Sequence, residues 1–204
     1  MAYHRIASLS HQTFKQYANK HNLSLEIIDS GETYFAKMKL YNLLEKYDRL
    51  LFIDTDTIIR NDCPNLFEIV PENKFGAFDE HNMANSKEKE IHKKFMSEAS
   101  KFYTLPIDNF KFFNTGVMVI SQIHKQIFQK TEKYLNLDYY DQLLINLRLG
   151  YLNIDTQDIG YQFNRMPYVE DRVSGTRLDC YIIHYAGVPE CYEVMKQDLD
   201  RWGL

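Results

Sequence analysis

The sequence is short of features that would place it in several large classes. It has three cysteines, Cys63, Cys180 and Cys191. That odd number with no C-x-x-C spacing argues against a disulfide scaffold or structural zinc, and reduced thiols are the simplest account. No apolar run reaches the roughly 18 residues of a membrane-spanning helix. The opening residues lack the charged-then-apolar pattern of a secretion signal. Both absences give the expectation of a cytoplasmic protein with no membrane insertion. A basic excess is missing too: 24 Lys and Arg stand against 28 Asp and Glu, a formal charge of −4. That argues against a nucleic-acid binder relying on phosphate contacts, though not against a small anionic substrate. Internal repeats, low-complexity tracts and linkers are also absent.

What remains is an ordinary globular composition, 204 residues with 45% hydrophobic and 25% charged. Disorder, collagen-like repeats and coiled coil are excluded, and the chain is long enough to bury a real core. Aromatic content is high, with 15 Tyr, 13 Phe and 1 Trp. Core packing explains most of it, and sugar or base stacking is the sharper alternative.

Hydrophobic periodicity alternates between strand and helix. Strands are expected over residues 3–8, 23–28, Arg49–Ile53, 74–78, 116–120 and 181–184. The second is stopped by Asp29-Ser30-Gly31, and the continuous apolar run of the third reads as buried on both faces. Helices are expected over 11–20, 37–47, 87–101, 122–134, 139–149 and 190–202. Asn85 with Glu88 forms a capping signal, and Ser121 and Asp138 are further caps. Strand-helix alternation points to an α/β domain with a largely parallel sheet. A single domain with two lobes, about 1–76 and 77–204, is the expected organisation.

The strongest chemical signal is Leu50-Leu51-Phe52-Ile53-Asp54-Thr55-Asp56-Thr57. An apolar strand delivers two carboxylates at i and i+2, where both face one side of the strand and can approach one ion. At the C-terminal end of a parallel strand they would line the ligand crevice. Paired carboxylates suit a hard divalent cation, Mg²⁺ or Mn²⁺. The plainer reading is a turn whose acids satisfy backbone donors.

Two enzyme classes share this octet. It matches the D-x-D-x-T of haloacid-dehalogenase phosphatases, in which Asp54 would be a nucleophile. Val117-Met118-Val119-Ile120-Ser121 and Lys125 could then supply later motifs. Two strand-helix units precede the motif, however, and the late acidic pair would have to be Asp155 and Asp158. The order of motifs from Lys39-Leu40 onward instead resembles GT-A glycosyltransferases of the glycogenin and xylosyltransferase-galactosyltransferase kind. It runs through Tyr47-Asp48, the D-x-D octet, Asn65-Leu66-Phe67-Glu68, Phe78-Asp79, Phe113-Asn114-Thr115-Gly116-Val117, Asp141-Gln142-Leu143-Leu144 and Ile183-His184-Tyr185-Ala186-Gly187. The match covers roughly residues 37–190. The pattern is also similar to glycosyltransferase domains encoded by chlorella viruses, which would place a viral protein in the host-cell cytoplasm.

The resemblance implies a Rossmann-like, mostly parallel mixed sheet flanked by helices, and a role for each matching residue. Asp54, Asp56 and His184 are implied as metal ligands, against the plainer reading of His184 as an interior histidine. Thr55 is implied at the ribose, and Gly187 where backbone nears phosphate. Lys39 is implied as the cation at the diphosphate or donor sugar. Asp79 is implied at sugar hydroxyls, and Asn114, Thr115 and Gly116 line the donor pocket. Asp141 and Gln142 lie beside the anomeric carbon, where Asp141 opposes developing positive charge. Ala7 and Ser8, at the end of the expected first strand, are candidates for the uracil pocket by fold position. The family's Lys-Pro-Trp is replaced here by Val188-Pro189-Glu190, leaving Lys39 or Arg60, or a greater share for the metal, to compensate. The implied activity is metal-dependent hexosyl transfer from a UDP-sugar to a glycan or glycoprotein acceptor, with retention. A non-catalytic sugar-nucleotide or glycan-binding module is the third reading.

Overall fold

The computed structural model describes residues 2–28, 36–132, 135 and 140–204. The expected strand terminator at 29–31, the end of the expected 122–134 helix and the Asp138 cap lie outside them. Two compact units interleave along the chain. One comprises Met1–Ile27, Ile53–Leu66 and Ile159–Leu204, the other Ile28–Phe52 and Phe67–Asp158. No single cut near residue 76 separates them.

In the first unit, α1 (Ala2–Lys20) is one continuous helix. The expected strand over 3–8 is therefore the first part of this helix, and the expected helix over 11–20 is its second. Ser10, Thr13, Phe14, Tyr17 and Ala18 form its buried stripe, the i, i+3, i+4, i+7, i+8 spacing of an amphipathic helix. Two of the five, Ser10 and Thr13, are small polar residues, so the stripe is hard to see in the sequence. Inside the helix Ser10 donates to the Ala7 carbonyl at 3.2 Å and Thr13 to the Ser10 carbonyl at 2.8 Å. Thr13 also accepts from the Ile59 amide at 3.2 Å, which ties α1 to β2 (Thr57–Ile59). That strand pairs antiparallel with β6 (Ile182–His184). Ile58 and Ile183 pack with Tyr185, Met195 and Leu199, the last two from α7 (Cys191–Trp202). Gly203, at φ 71°, ends α7 in the left-handed conformation.

Residues 23–28 alternate as a strand should, yet they form no ladder among the described residues. Leu25 is 39% exposed and Ile27 56%. Alternation makes a segment compatible with a sheet, but only a neighbouring strand supplies its hydrogen bonds.

The second unit is built on a four-stranded sheet of β1 (Arg49–Ile53), β3 (Phe75–Asp79), β4 (Phe113–Ser121) and β5 (Thr156–Asp158), in the order β1-β4-β3-β5. β3 runs antiparallel to β4 and parallel to β5. The α/β class stands, but the largely parallel pairing expected from alternation does not describe these registers. β1 is at the edge and half-buried throughout rather than buried on both faces. β4 is the fully buried strand.

A short 3₁₀ turn, Lys37–Lys39, leads into α2 (Leu40–Leu43). The helical pattern over 37–47 is thus realised in a shorter form. Residues Gln122–Phe128 are likewise 3₁₀. The remaining helices are α3 (Leu66–Ile69), α4 (Glu80–Met83), α5 (Ser86–Tyr103) and α6 (Tyr140–Tyr151). The Asn85–Glu88 capping box opens α5, with reciprocal bonds of 3.0 and 2.9 Å. α6 is buried on two sides. Leu144, Ile145 and Leu149 join the sheet core, while Leu143 and Leu147 meet Met96 and Ala99 of α5.

α4 and α5 are joined by two imidazoles, with Nδ1 of His81 3.3 Å from Nδ1 of His92. His92 also lies flat on Phe112, centroids 3.8 Å apart. Burial, aided by the charge on His81, pushes His92 from 6.5 down to about 4; burial lowers His81 as well. The folded state therefore refuses protons that the unfolded chain accepts, so stability is complete above pH 6.5 and falls as pH drops toward 4. Urea unfolding midpoints should be lower at pH 5 than at pH 7. In His92→Phe, which keeps the stacked ring, the pH dependence over that window should shrink.

Candidate functional site

Asp54 and Asp56 follow the end of β1, but they are not on a strand. Ile53 is the last strand residue and the Asp-Thr-Asp segment turns into β2. The two acids thus share a site because of a turn rather than strand alternation. The Thr57 hydroxyl donates to the Asp54 carbonyl at 2.8 Å and stabilises that turn. Thr57 is also the register partner of His184. The next bond in line, Tyr185 amide to Asp56 carbonyl, is 2.8 Å. Pairing therefore carries His184 to the turn, with Nε2 3.4 Å from Oδ1 of Asp56. One ligand atom from each of Asp54, Asp56 and His184 lies within 4.8 Å of the others.

The donor set is two carboxylates and an imidazole, which suits a divalent cation of the Mg²⁺–Mn²⁺ type, nitrogen favouring the latter. The Nδ1 of His184 is engaged by Oδ1 of Asn164 at 2.8 Å, so Nε2 faces the acids. These residues fit a metal ion. Among the described residues no other group of three His, Cys, Asp or Glu side chains meets this criterion. Asp155 and Asp158 are not part of it, and Asp158 instead accepts from the Asp79 amide at 3.1 Å. Thr55 is exposed in the turn, and Gly187 occupies a turn after β6 at φ 70°. A Cβ on Gly187 would meet nothing within 4 Å, so backbone conformation rather than crowding favours glycine there.

The second unit holds a separate cluster, and most of its residues were singled out in the sequence. Register between β3 and β4 jumps from Ala77↔Met118 to Phe78↔Asn114. Thr115, Gly116 and Val117 are accommodated in this bulge, where the Gly116 amide donates to Oδ1 of Asn114 at 2.9 Å. Gln142, on α6, accepts from the Thr115 amide at 3.2 Å and donates to Glu80 at 3.0 Å. Asn114 donates to the same Glu80 oxygen at 3.4 Å. Asn146 holds both sides of the Phe113 peptide, accepting at 2.7 Å and donating at 2.9 Å.

Lys37 is the cation of this cluster. Its Nζ is 2.9 Å from Asp141 and donates to the Thr115 hydroxyl at 2.9 Å. Burial alone would raise Asp141, but the charge and hydrogen bond of Lys37 and the Gln142 amide outweigh it and hold the carboxyl below its ordinary range. Lys39, the lysine named from the sequence, is exposed. Residues two apart on a 3₁₀ turn point in different directions, so only one of the pair faces inward. A similar one-residue displacement occurs at Phe78-Asp79-Glu80. Asp79 caps α4 through Asn82, at 3.1 and 2.8 Å, and burial raises its pKa. Glu80 is the acid in the network.

Lys37, Glu80, Asn146 and Asn164 were missed in the sequence. Asn146 is a polar residue inside the apolar run 143–149, and that mismatch was an available signal; Glu80 and Asn164 have polar neighbours in sequence and offered none. Ala7 and Ser8 lie on α1 rather than at a strand end, and Ser8 donates to the Arg5 carbonyl at 2.7 Å. Neither residue ends a strand, so position in the fold does not assign them to a uracil pocket. Arg60 is part of a surface pair with Asp62.

Residues 2–190 match the model of Glycosyl transferase family 8. A Haemophilus influenzae (strain ATCC 51907 / DSM 11121 / KW20 / Rd) protein described as a candidate glycosyltransferase is 24% identical over 166 residues, 75% of this chain and 46% of its own length. The chain thus spans less than half of that relative. A glycosyltransferase involved in glycosylation of the major capsid of PBCV-1 has TM-score 0.59 at 14% identity, covering 94% of this chain and 92% of its own. The galactosyltransferase LgtC, solved with donor and acceptor sugar analogues, has TM-score 0.52 at 19% identity, covering 90% and 72%. The WbbM bifunctional glycosyltransferase has TM-score 0.54 at 18% identity, covering 82% of this chain and 35% of its own. These likenesses show the fold, a mixed-sheet α/β arrangement of the GT-A type. Matched over nearly its whole length, the chain belongs to glycosyl transferase family 8.

Proposed function

We propose that the chain is a metal-dependent glycosyltransferase that moves a hexose or deoxyhexose from a nucleoside diphosphate sugar, UDP-linked, to a glycan hydroxyl with retention. The observation that carries this reading is the convergence of Asp54, Asp56 and His184 in a chain of this family. These three residues would hold Mn²⁺ or Mg²⁺, which when bound supplies positive charge to the departing diphosphate. The chain itself is net negative, so a bound cation is the economical source of that charge.

In the second unit, Lys37 keeps Asp141 ionised, and the carboxylate would oppose positive charge developing on the sugar ring. Glu80, Asn114, Thr115 and Gln142 offer the hydroxyl, amide and carboxylate groups that a hexose requires.

In Asp56→Ala, Mn²⁺-stimulated hydrolysis of the donor sugar should fall by more than about 100-fold, with the circular dichroism spectrum unchanged. Unchanged activity would remove the metal assignment. A thermal-shift screen should show stabilisation by the correct nucleotide sugar only with Mn²⁺, on the order of 2.7 kcal/mol at 100 times Kd.

Lys37→Met tests the second cluster. The pair is largely but not wholly buried, with side-chain exposures of 10% and 21%. Leaving Asp141 unpaired should cost about 2–3 kcal/mol in urea unfolding, less than a fully buried pair. Donor affinity should weaken in this variant while Mn²⁺ affinity holds. A variant with normal donor affinity would exclude Lys37 from the donor site.

A further inference from the structure

We propose that Asn164 is a positioning residue that locks His184 in the Nδ1–H tautomer and so makes Nε2 the ligand atom. This inference rests on the cation-site reading above and deepens it. Asn164 is fully buried, at 0% exposure, as His184 nearly is, at 4%. Oδ1 of Asn164 is 2.8 Å from Nδ1 of His184. With the imidazole proton on Nδ1, this contact is a sound hydrogen bond and the Nε2 lone pair faces Asp56. With the amide oxygen toward the ring, as here, a proton on Nε2 would set two lone pairs against each other at 2.8 Å, and that tautomer would require the amide to turn over and present its NH₂. In this orientation the buried amide selects the Nδ1–H tautomer, as the outer partner of a metal-bound histidine does.

The backbone is arranged to hold that amide. Gly160, at φ 80°, opens a 3₁₀ turn over Tyr161–Phe163, and Asn164 closes it. The following residue then grips β6. Arg165 donates its amide to the Ile182 carbonyl at 3.0 Å and accepts from the His184 amide at 2.9 Å. Two consecutive residues thus fix His184 twice, Arg165 by the main chain and Asn164 by the ring. The Arg165 guanidinium is itself 1% exposed and anchored on Glu170 at 3.1 Å. Burying an amide and a guanidinium side by side is costly; locating one imidazole is a function that accounts for placing the amide there. Asparagine rather than aspartate provides an acceptor without adding a third negative charge to the two acids.

The test uses the full chain with two independent readouts. Long-range ¹H–¹⁵N correlation spectra, recorded without metal at mildly alkaline pH and assigned with His184→Gln, report which ring nitrogen carries the proton. In the wild type this should be Nδ1, and in Asn164→Ala the ring should become a mixture of tautomers. A wild-type ring protonated on Nε2 overturns the inference whatever the metal does. Mn²⁺ titration followed by electron paramagnetic resonance is the second readout. Asn164→Ala should bind about 10–100-fold more weakly than wild type. Asn164→Asp, which keeps an acceptor oxygen in place, should recover most of the loss. Equal binding by wild type and Asn164→Ala overturns the inference, and so does an Asp variant as weak as the Ala variant at unchanged thermal stability. If the wild type has the Nδ1–H ring but binds no Mn²⁺, the cation-site reading fails and the ligand role of Nε2 fails with it.

Discussion

The antiparallel pairing of β2 with β6 is the constraint on which the candidate cation site depends. Asp54 and Asp56 lie far from His184 along the chain, and a reverse turn alone would give two carboxylates with no third ligand. The register Thr57↔His184, continued by the Tyr185–Asp56 backbone bond at 2.8 Å, removes that separation. α1 covers the ladder through Thr13 and Ile59. α7 supplies Met195 and Leu199 to its apolar core, and its buried Asp198 accepts from Tyr185 at 2.9 Å and from Arg177 at 2.6 and 3.0 Å. Most of this unit is thus support for one short strand pair. Holding two carboxylates together is electrostatically unfavourable, and backbone pairing supplies rigidity that keeps them in place.

A different balance governs the second unit. There the sheet core is conventional, but the bulge in β4 brings peptide groups and polar side chains into a buried region. Such groups are tolerable only when each finds a partner. Glu80 accepts from both Gln142 and Asn114, Gln142 accepts from Thr115, Asn146 takes both edges of the Phe113 peptide, and Lys37 neutralises Asp141. A network satisfied in this way is rigid, which is what a site needs when it must distinguish one arrangement of hydroxyls from another.

Much of this was legible in the sequence where a local pattern has a local cause. The apolar run of β1, the capping box of α5 and the amphipathic spacing of α7 all depend on neighbours within a few residues. The pattern failed at 3–8, where Ser10 and Thr13 occupy the buried face of α1 and obscure its period. It failed at 23–28 because a strand needs a partner that alternation cannot supply. Asp54, Asp56 and His184, named from motif order, converge in the first unit, and Asp141 and Gln142, named likewise, join the polar network of the second. Lys39 and Asp79 lie two residues and one from Lys37 and Glu80, the lysine and acid that join the polar network. Their surroundings in sequence are alike, and only the facing of a 3₁₀ turn or a strand end separates them.

By itself the sequence determined the α/β class and the positions of most of the longer helices, because composition, periodicity and short-range caps act within a few residues. Tertiary structure alone decided which lysine and which acid enter the polar cluster, and that His184 reaches the two carboxylates with Asn164 behind it. The physical reason is that burial and hydrogen-bond partnership are properties of segments that meet in space. No local stretch of sequence encodes which of two neighbouring polar side chains will find its partner there.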